Sequence, residues 1–193
     1  TGKLAVCAGS CGPGNTHLIQ GLYDANRNGM AKVLAIASHI PSGQIGTSYF
    51  QETHPERLFV ECSHYSEVAN APEQAARIAH IAVQTAVARN GVSVLVLPGD
   101  VAEADAVKAP TMGNVSSRPP AHVPHPDQVR ALADLINGAR KVTLFCGAGV
   151  AGAHDEVMRF AEALKSAVGH AMGGKEFIQY DNPYDVGRSG LLG

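Results

Sequence analysis

The sequence predicts an α/β protein built as two successive parallel-sheet units. Three observations carry that reading. Apolar β-branched runs alternate with segments of helical periodicity, the order that predicts parallel sheets with right-handed crossovers. The runs Lys32–Ala37 and Val92–Leu97 show no in/out alternation, as expected where helices cover both faces of a sheet. Glycine, proline and asparagine punctuate the junctions, as at Asn28-Gly29 and Asn90-Gly91.

Taken in order, Leu4–Ala8 reads as a short buried strand and Gly9–Asn15 as a turn into a helix. His17–Asn26 places Leu18, Ile19, Leu22 and Tyr23 at helical spacing, with Gly29 set to close the helix in a left-handed conformation. Lys32–Ala37 is the second strand, Pro41–Gln51 a loop with two glycines, and Pro55–Glu61 a short helix opened by its proline. Tyr65–Ala69 is the third strand. Pro72–Arg89 is a long helix whose apolar stripe runs through Ala75, Ile78, Ala79, Ala82, Val83 and Ala86. Val92–Leu97 is the next strand, ended by Pro98-Gly99-Asp100.

Residues 103–123 break the pattern. They are proline-rich and aperiodic, which predicts a linker between a domain over 1–102 and another over 124–193. The second domain reads as helix Asp127–Asn137, strand Lys141–Cys146, helix Asp155–Lys165 and strand Ala167–Ala171.

Bulk properties narrow the function. The net charge is -2 and no basic run occurs, so nucleic-acid binding gains no support. No stretch reaches ~18 apolar residues, and no signal peptide is visible. Cys7, Cys11, Cys62 and Cys146 form neither a CxxC pair nor a regular framework, which predicts reduced thiols, a cytoplasmic setting and no metal site. The opening Thr-Gly-Lys-Leu and the closing Gly-Leu-Leu-Gly both read as cut from something longer.

Four segments can carry chemistry. Gly12-Pro13-Gly14-Asn15 lies between a strand end and a helix start, where ligands of open α/β sheets bind. A tight turn without a ligand fits equally. Phe50-Gln51 follows a loop long enough to line a site, although Phe50 could instead pack on the core and Gln51 cap the next helix. Gly147-Ala148-Gly149-Val150-Ala151-Gly152 matches G-x-G-x-x-G in a strand–turn–helix context. The acidic residue that would hold a ribose is missing at Ala171-Met172, so a simple NAD site is disfavoured. Gly173-Gly174-Lys175-Glu176 and Arg188 lie beyond the last strand, where Lys175 and Arg188 could meet phosphates or simply face water. The nine histidines, His39, His54 and His64 among them, suggest no cluster.

In order and spacing these segments resemble thiamine-diphosphate-dependent enzymes of the pyruvate oxidase (pyruvate:quinone oxidoreductase) type. Cys11–Leu18 with Gly21–Ala25 is similar to a strand–helix unit of the pyrimidine-binding domain. Phe50-Gln51-Glu52 resembles a loop shared with acetohydroxyacid synthases, and Val96–Val101 resembles the strand closing that domain. Residues from about Pro124 on resemble a Rossmann-like central domain that holds FAD. His64-Tyr65, where synthases carry Thr-Lys, and Tyr180–Gly187 are oxidase-like.

The resemblance implies a fold: a partial pyrimidine-type parallel sheet followed by part of an FAD-binding domain. It implies oxidative decarboxylation of pyruvate to acetate and CO₂, with a quinone acceptor. Gly12, Pro13, Gly14 and Asn15 would line the thiamine diphosphate, and Phe50 and Gln51 would face its thiazolium and pyruvate. Gly147, Ala148, Gly149, Gly173, Gly174, Lys175 and Arg188 would hold FAD. It also implies a homo-oligomer, tetrameric in relatives, with any peripheral membrane contact made by a region beyond residue 193. The ylid-generating glutamate and the Mg²⁺ ligands would lie outside this chain, leaving it inactive alone. The alternatives are an acetohydroxyacid-synthase-like carboligase and a non-catalytic binding or assembly module.

Overall fold

A computed structural model describes residues 2–108, 112–115 and 121–190. It divides into two units, Thr1–Pro120 and Ala121–Gly193.

The first unit runs β1 (Leu4–Gly9), α1 (Pro13–Asn28), β2 (Lys32–His39), α2 (Pro55–Leu58), β3 (Tyr65–Val68), α3 (Pro72–Arg89), β4 (Val92–Pro98) and α4 (Gly99–Glu103). Proline at the first turn starts α1 and α3, where its missing N–H costs nothing. Gly29 and Asn90 end them in left-handed conformation. The four strands pair in parallel in the order β1-β2-β4-β3, with Val6 opposite Leu34 and Ile36 opposite Leu95.

The core explains why β2 and β4 lack alternation. Val92, Val94 and Val96 join Ala35 and Ala37 on one face, under Leu22 of α1 and Phe59 after α2. Leu34 and Leu95 join Ala82 of α3 and Val101 of α4 in a second cluster. Each central strand is therefore apolar on both faces. The sequence predicted β1 to be equally buried; that expectation is corrected. Among the described strands β1 pairs only with β2, and Val6 is 60% exposed.

The second unit holds α5 (Pro126–Asn137), β5 (Thr143–Cys146), α6 (His154–Leu164), β6 (Ala167–His170), α7 (Lys175–Ile178) and β7 (Asp185–Arg188). Its three strands are parallel, in the order β5-β6-β7. A small core of Cys146, Ala161, Val168 and Ile178 fixes α6 and α7 to the sheet. A capping box starts α5: the His125 side chain accepts from Asp127 N, and the Gln128 side chain accepts from His125 N. Its Val129, Leu132 and Leu135 are nonetheless more than half exposed. α7 and β7 carry no apolar run long enough to mark them in the sequence, where this stretch reads as loop. No helix of the described residues is long and apolar enough to cross a membrane.

Candidate functional site

All strands in each unit are parallel, so their carboxyl ends lie on one side of the sheet and the segments that follow them gather there. In the first unit those segments are the turn after β1, the loop after β2 and the start of α4 after β4. Three contacts join them. The Cys11 thiol donates to Gln51 Oε1 at 3.4 Å. Gly12 sits under Gln51, so that a Cβ placed on Gly12 would come within 2.9 Å of Gln51 Cβ. Ser42 N donates to Asp100 Oδ1 at 2.8 Å, and Ser42 Oγ donates to Asp100 Oδ2.

Gly12 is bound to this place twice. Its φ is +65°, which L residues rarely adopt, and the approach of Gln51 leaves no room for a side chain. Pro13 is exposed and Gly14 half-exposed at the start of α1. Asn15 is fully buried, and its Nδ2 donates to Ser38 O at 2.8 Å. That side chain ties α1 to β2 and does not face outward. Phe50 is 80% exposed and packs on no core, while Gln51 turns toward Cys11 instead of capping α2, which follows His54. Gln51 thus stands at the sheet's carboxyl edge against Cys11 and Gly12, with the exposed Phe50 next to it in the chain.

The loop carrying them is held by carboxylates. Glu52 accepts from Gly46 N at 2.5 Å and from Tyr49 N at 3.2 Å. Those backbone N–H groups hold the Glu52 carboxyl below its ordinary range. Ser42, through its hydroxyl and its backbone N–H, does the same for Asp100. Ser48 and Gln51 take positive φ of 61° and 65°, so the chain is bent sharply on either side of Phe50.

Sequence reasoning saw no histidine cluster, yet His39, His54 and Glu56 gather beside this loop. Their potential ligand atoms lie within 4.8 Å of one another. His39 Nδ1 accepts the Ile40 N–H at 2.9 Å, which places the neutral ring's proton on Nε2 and takes that nitrogen away from a metal. Burial lowers the His39 pKa and reinforces the neutral form. His54 Nδ1 lies 3.2 Å from Glu56 Oε1. Within the trio only His54 bonds Glu56, through Oε1, while His39 is turned to its own backbone. His64 lies elsewhere, against Gly91.

In the second unit the turn after β5 meets the turn after β6. A Cβ on Gly173 would lie 3.3 Å from Ala148 Cβ, and one on Gly174 only 2.2 Å from Cys146 O. Gly174 is thus a point of backbone crossing. Gly147 and Gly149 have open space where a Cβ would stand. After β6 a cleft of about 460 Å³ is lined by Met172, Lys175, Glu176, Gln179 and Tyr180. The Tyr180 ring stacks on His154 at 4.3 Å and 9°, while His154 Nδ1 faces Phe177 O at 2.9 Å. Arg188 reaches across to Met172 Sδ at 3.4 Å. Asp155 and Glu156 already occupy the first turn of α6, so its dipole favours acidic side chains over a bound phosphate there. An open glycine turn, a flat aromatic stack and Lys175 suit a planar anionic cofactor lying along the strand tips. The His154–Tyr180 pair had no sequence signal, since the partners are 26 positions apart.

Residues 1–59 match the thiamine pyrophosphate enzyme N-terminal TPP binding domain, and residues 129–193 match the thiamine pyrophosphate enzyme central domain. An uncharacterized 42.6 kDa protein of Pseudomonas amyloderamosa is 56% identical over all of this chain and 49% of its own length. An acetolactate synthase of Arthrospira platensis is 31% identical over 100% of this chain and 34% of its own. A pyruvate oxidase of Lactiplantibacillus plantarum is 30% identical over 86% of this chain and 28% of its own. The chain thus spans about half of the first relative and about a third of the two enzymes. A solved structure from Mycobacterium smegmatis, assigned to the thiamin diphosphate-dependent enzymes, superposes on 99% of this chain and 37% of its own, with a TM-score of 0.81 at 22% identity. That likeness speaks to the α/β fold with its parallel sheets.

Proposed function

We propose, for a chain that belongs to the thiamine pyrophosphate enzyme family, that it forms one wall of a thiamine diphosphate site and part of an FAD site in an enzyme that decarboxylates pyruvate oxidatively. The single observation that supports this most is the meeting of the Gly12 turn with Gln51 and the exposed Phe50 at one sheet edge. Thiamine diphosphate, when bound, would supply the nucleophilic carbon and the electron sink that decarboxylation of pyruvate needs. FAD would supply a two-electron acceptor re-oxidised by a quinone, and water would supply the oxygen that acetate gains.

The chain's own residues position and exclude. Pro13 and Gly14 offer backbone surface to the pyrimidine side. Gln51, with its carbonyl turned to Cys11, presents its amide N–H groups to pyruvate. Phe50 would shield the reacting carbon from water while CO₂ leaves, before water enters to release acetate. Gly147, Ala148, Gly149, Gly173 and Lys175 hold the flavin nucleotide in the second unit, with Gly174 and Arg188 supporting their turns. Mg²⁺ takes ligands from outside these residues. The protein works in the cytoplasm as an oligomer of identical subunits.

A second reading rests on the acetolactate synthase of Arthrospira platensis, as similar as the pyruvate oxidase. There the same wall serves a carboligation. One assay separates the two. The full-length protein is given pyruvate, thiamine diphosphate, Mg²⁺, FAD and a soluble quinone. Acetate formed with stoichiometric quinone reduction is expected. Acetolactate without quinone reduction moves the assignment to the carboligase.

A further inference from the structure

Residues 41–50 are all exposed, so apolar burial does not hold the loop that carries Phe50. The loop nonetheless takes a defined and sharply bent path. Its order rests on polar contacts, and two carboxylates supply the strongest of them. Glu52 reaches back within the loop and collects the N–H groups of Gly46 and Tyr49. Asp100, from the start of α4, collects the N–H and the hydroxyl of Ser42 at the loop's other end. Hydrogen bonds from N–H to a carboxylate are roughly twice as strong as neutral ones.

We infer that Glu52 and Asp100 are positioning residues: together they clamp the 42–52 loop so that Phe50 and Gln51 are presented at the sheet edge in one conformation. The inference rests on the proposed function for what Phe50 and Gln51 do, but the clamp itself stands on the geometry. Asp100 acts through Ser42, and Glu52 acts through the backbone of residues 46–49. The arrangement is also divided. Asp100 belongs to the segment after β4 and fixes the loop to the sheet, whereas Glu52 fixes the loop's own curvature. Losing one releases its half and leaves the other in place.

Backbone amide exchange of the 193-residue chain reads each half separately. Glu52→Ala is expected to speed exchange at Gly46 and Tyr49 by at least about tenfold while leaving Ser42 unchanged, as loss of hydrogen bonds to a charged acceptor implies. Asp100→Ala is expected to do the reverse. Glu52→Gln and Asp100→Asn each keep one acceptor oxygen and should recover part of the protection. In the full-length protein with thiamine diphosphate, Mg²⁺ and FAD, the alanine variants should lower kcat for pyruvate with KM little changed, and the amide variants should restore part of it. Unchanged exchange overturns the clamp. Faster exchange with unchanged kcat overturns the positioning role. Wild-type protein that does not turn over pyruvate refutes the functional reading alone, and the exchange data then decide the clamp.

Discussion

The glycine turns of the two units look alike in sequence and differ in kind. The turn at Gly12 is filled by its own protein: Gln51 lies on it, and a Cβ there would meet Gln51 Cβ at 2.9 Å. The turn at Gly147 has open space at both Gly147 and Gly149, although Gly173 approaches Ala148 between them. In the first unit glycine permits a neighbouring loop to approach. In the second the glycines at 147 and 149 border open space. A glycine turn after a parallel strand is therefore not one signal but two: the arriving segment packs on Gly12 itself in the first unit, and on Ala148 and the Cys146 carbonyl in the second.

Substitutions can break this contrast. The largest effect is expected inside the second unit at Gly174, where a methyl would lie 2.2 Å from Cys146 O. Backbone cannot yield as a side-chain tip can, so Gly174→Ala should cost about 3 kcal/mol, read by denaturant unfolding of that unit. Gly12→Ala comes next, at about 2 kcal/mol, because it adds left-handed strain to the contact with Gln51. It should also free the Gln51 amide, visible as sharpening of that side-chain NMR signal. Gly147→Ala should leave stability within about 0.5 kcal/mol. Its effect should fall on FAD affinity instead, with loss on the order of tenfold in a flavin titration, the size of one modest steric contact.

The smallest effect is one of pH. The folded pKa values of Glu52 and Asp100 are lowered, so their contribution is complete above the ordinary carboxylate range and disappears as pH falls through the lowered values. The nearby His54 adds a smaller lowering to Glu52, behind the backbone N–H groups. Protection of the Gly46 and Tyr49 amides should hold from neutrality into mild acid and fall only in strong acid. Protection lost near pH 6 would assign the loop's order to the histidines.

The sequence made most of this architecture legible, for identifiable reasons. The helix Pro72–Arg89 was read to the residue because proline and asparagine mark its ends chemically. The runs in β2 and β4 betrayed two covered faces. Both units' candidate turns were also visible, since glycine clusters after apolar runs are local patterns. What escaped was made by distance or brevity. The pairs Cys11–Gln51, Ser42–Asp100 and His154–Tyr180 join segments 26 to 58 positions apart, and no periodicity announces them. Strand β7 spans four residues around Gly187, too short for an alternating pattern. The exposure of β1 escaped for a related reason: an apolar run reports what a strand can bury, not what lies beside it.

The most direct test of the contrast is an amide-resolved NMR titration of the chain with FAD. Signals of Gly147, Ala148, Gly149 and Lys175 should shift in a saturable manner, while those of Gly12 and Gly14 stay in place. Shifts confined to the Gly12 turn, or no saturable shift at Gly147 and Gly149, would contradict the account.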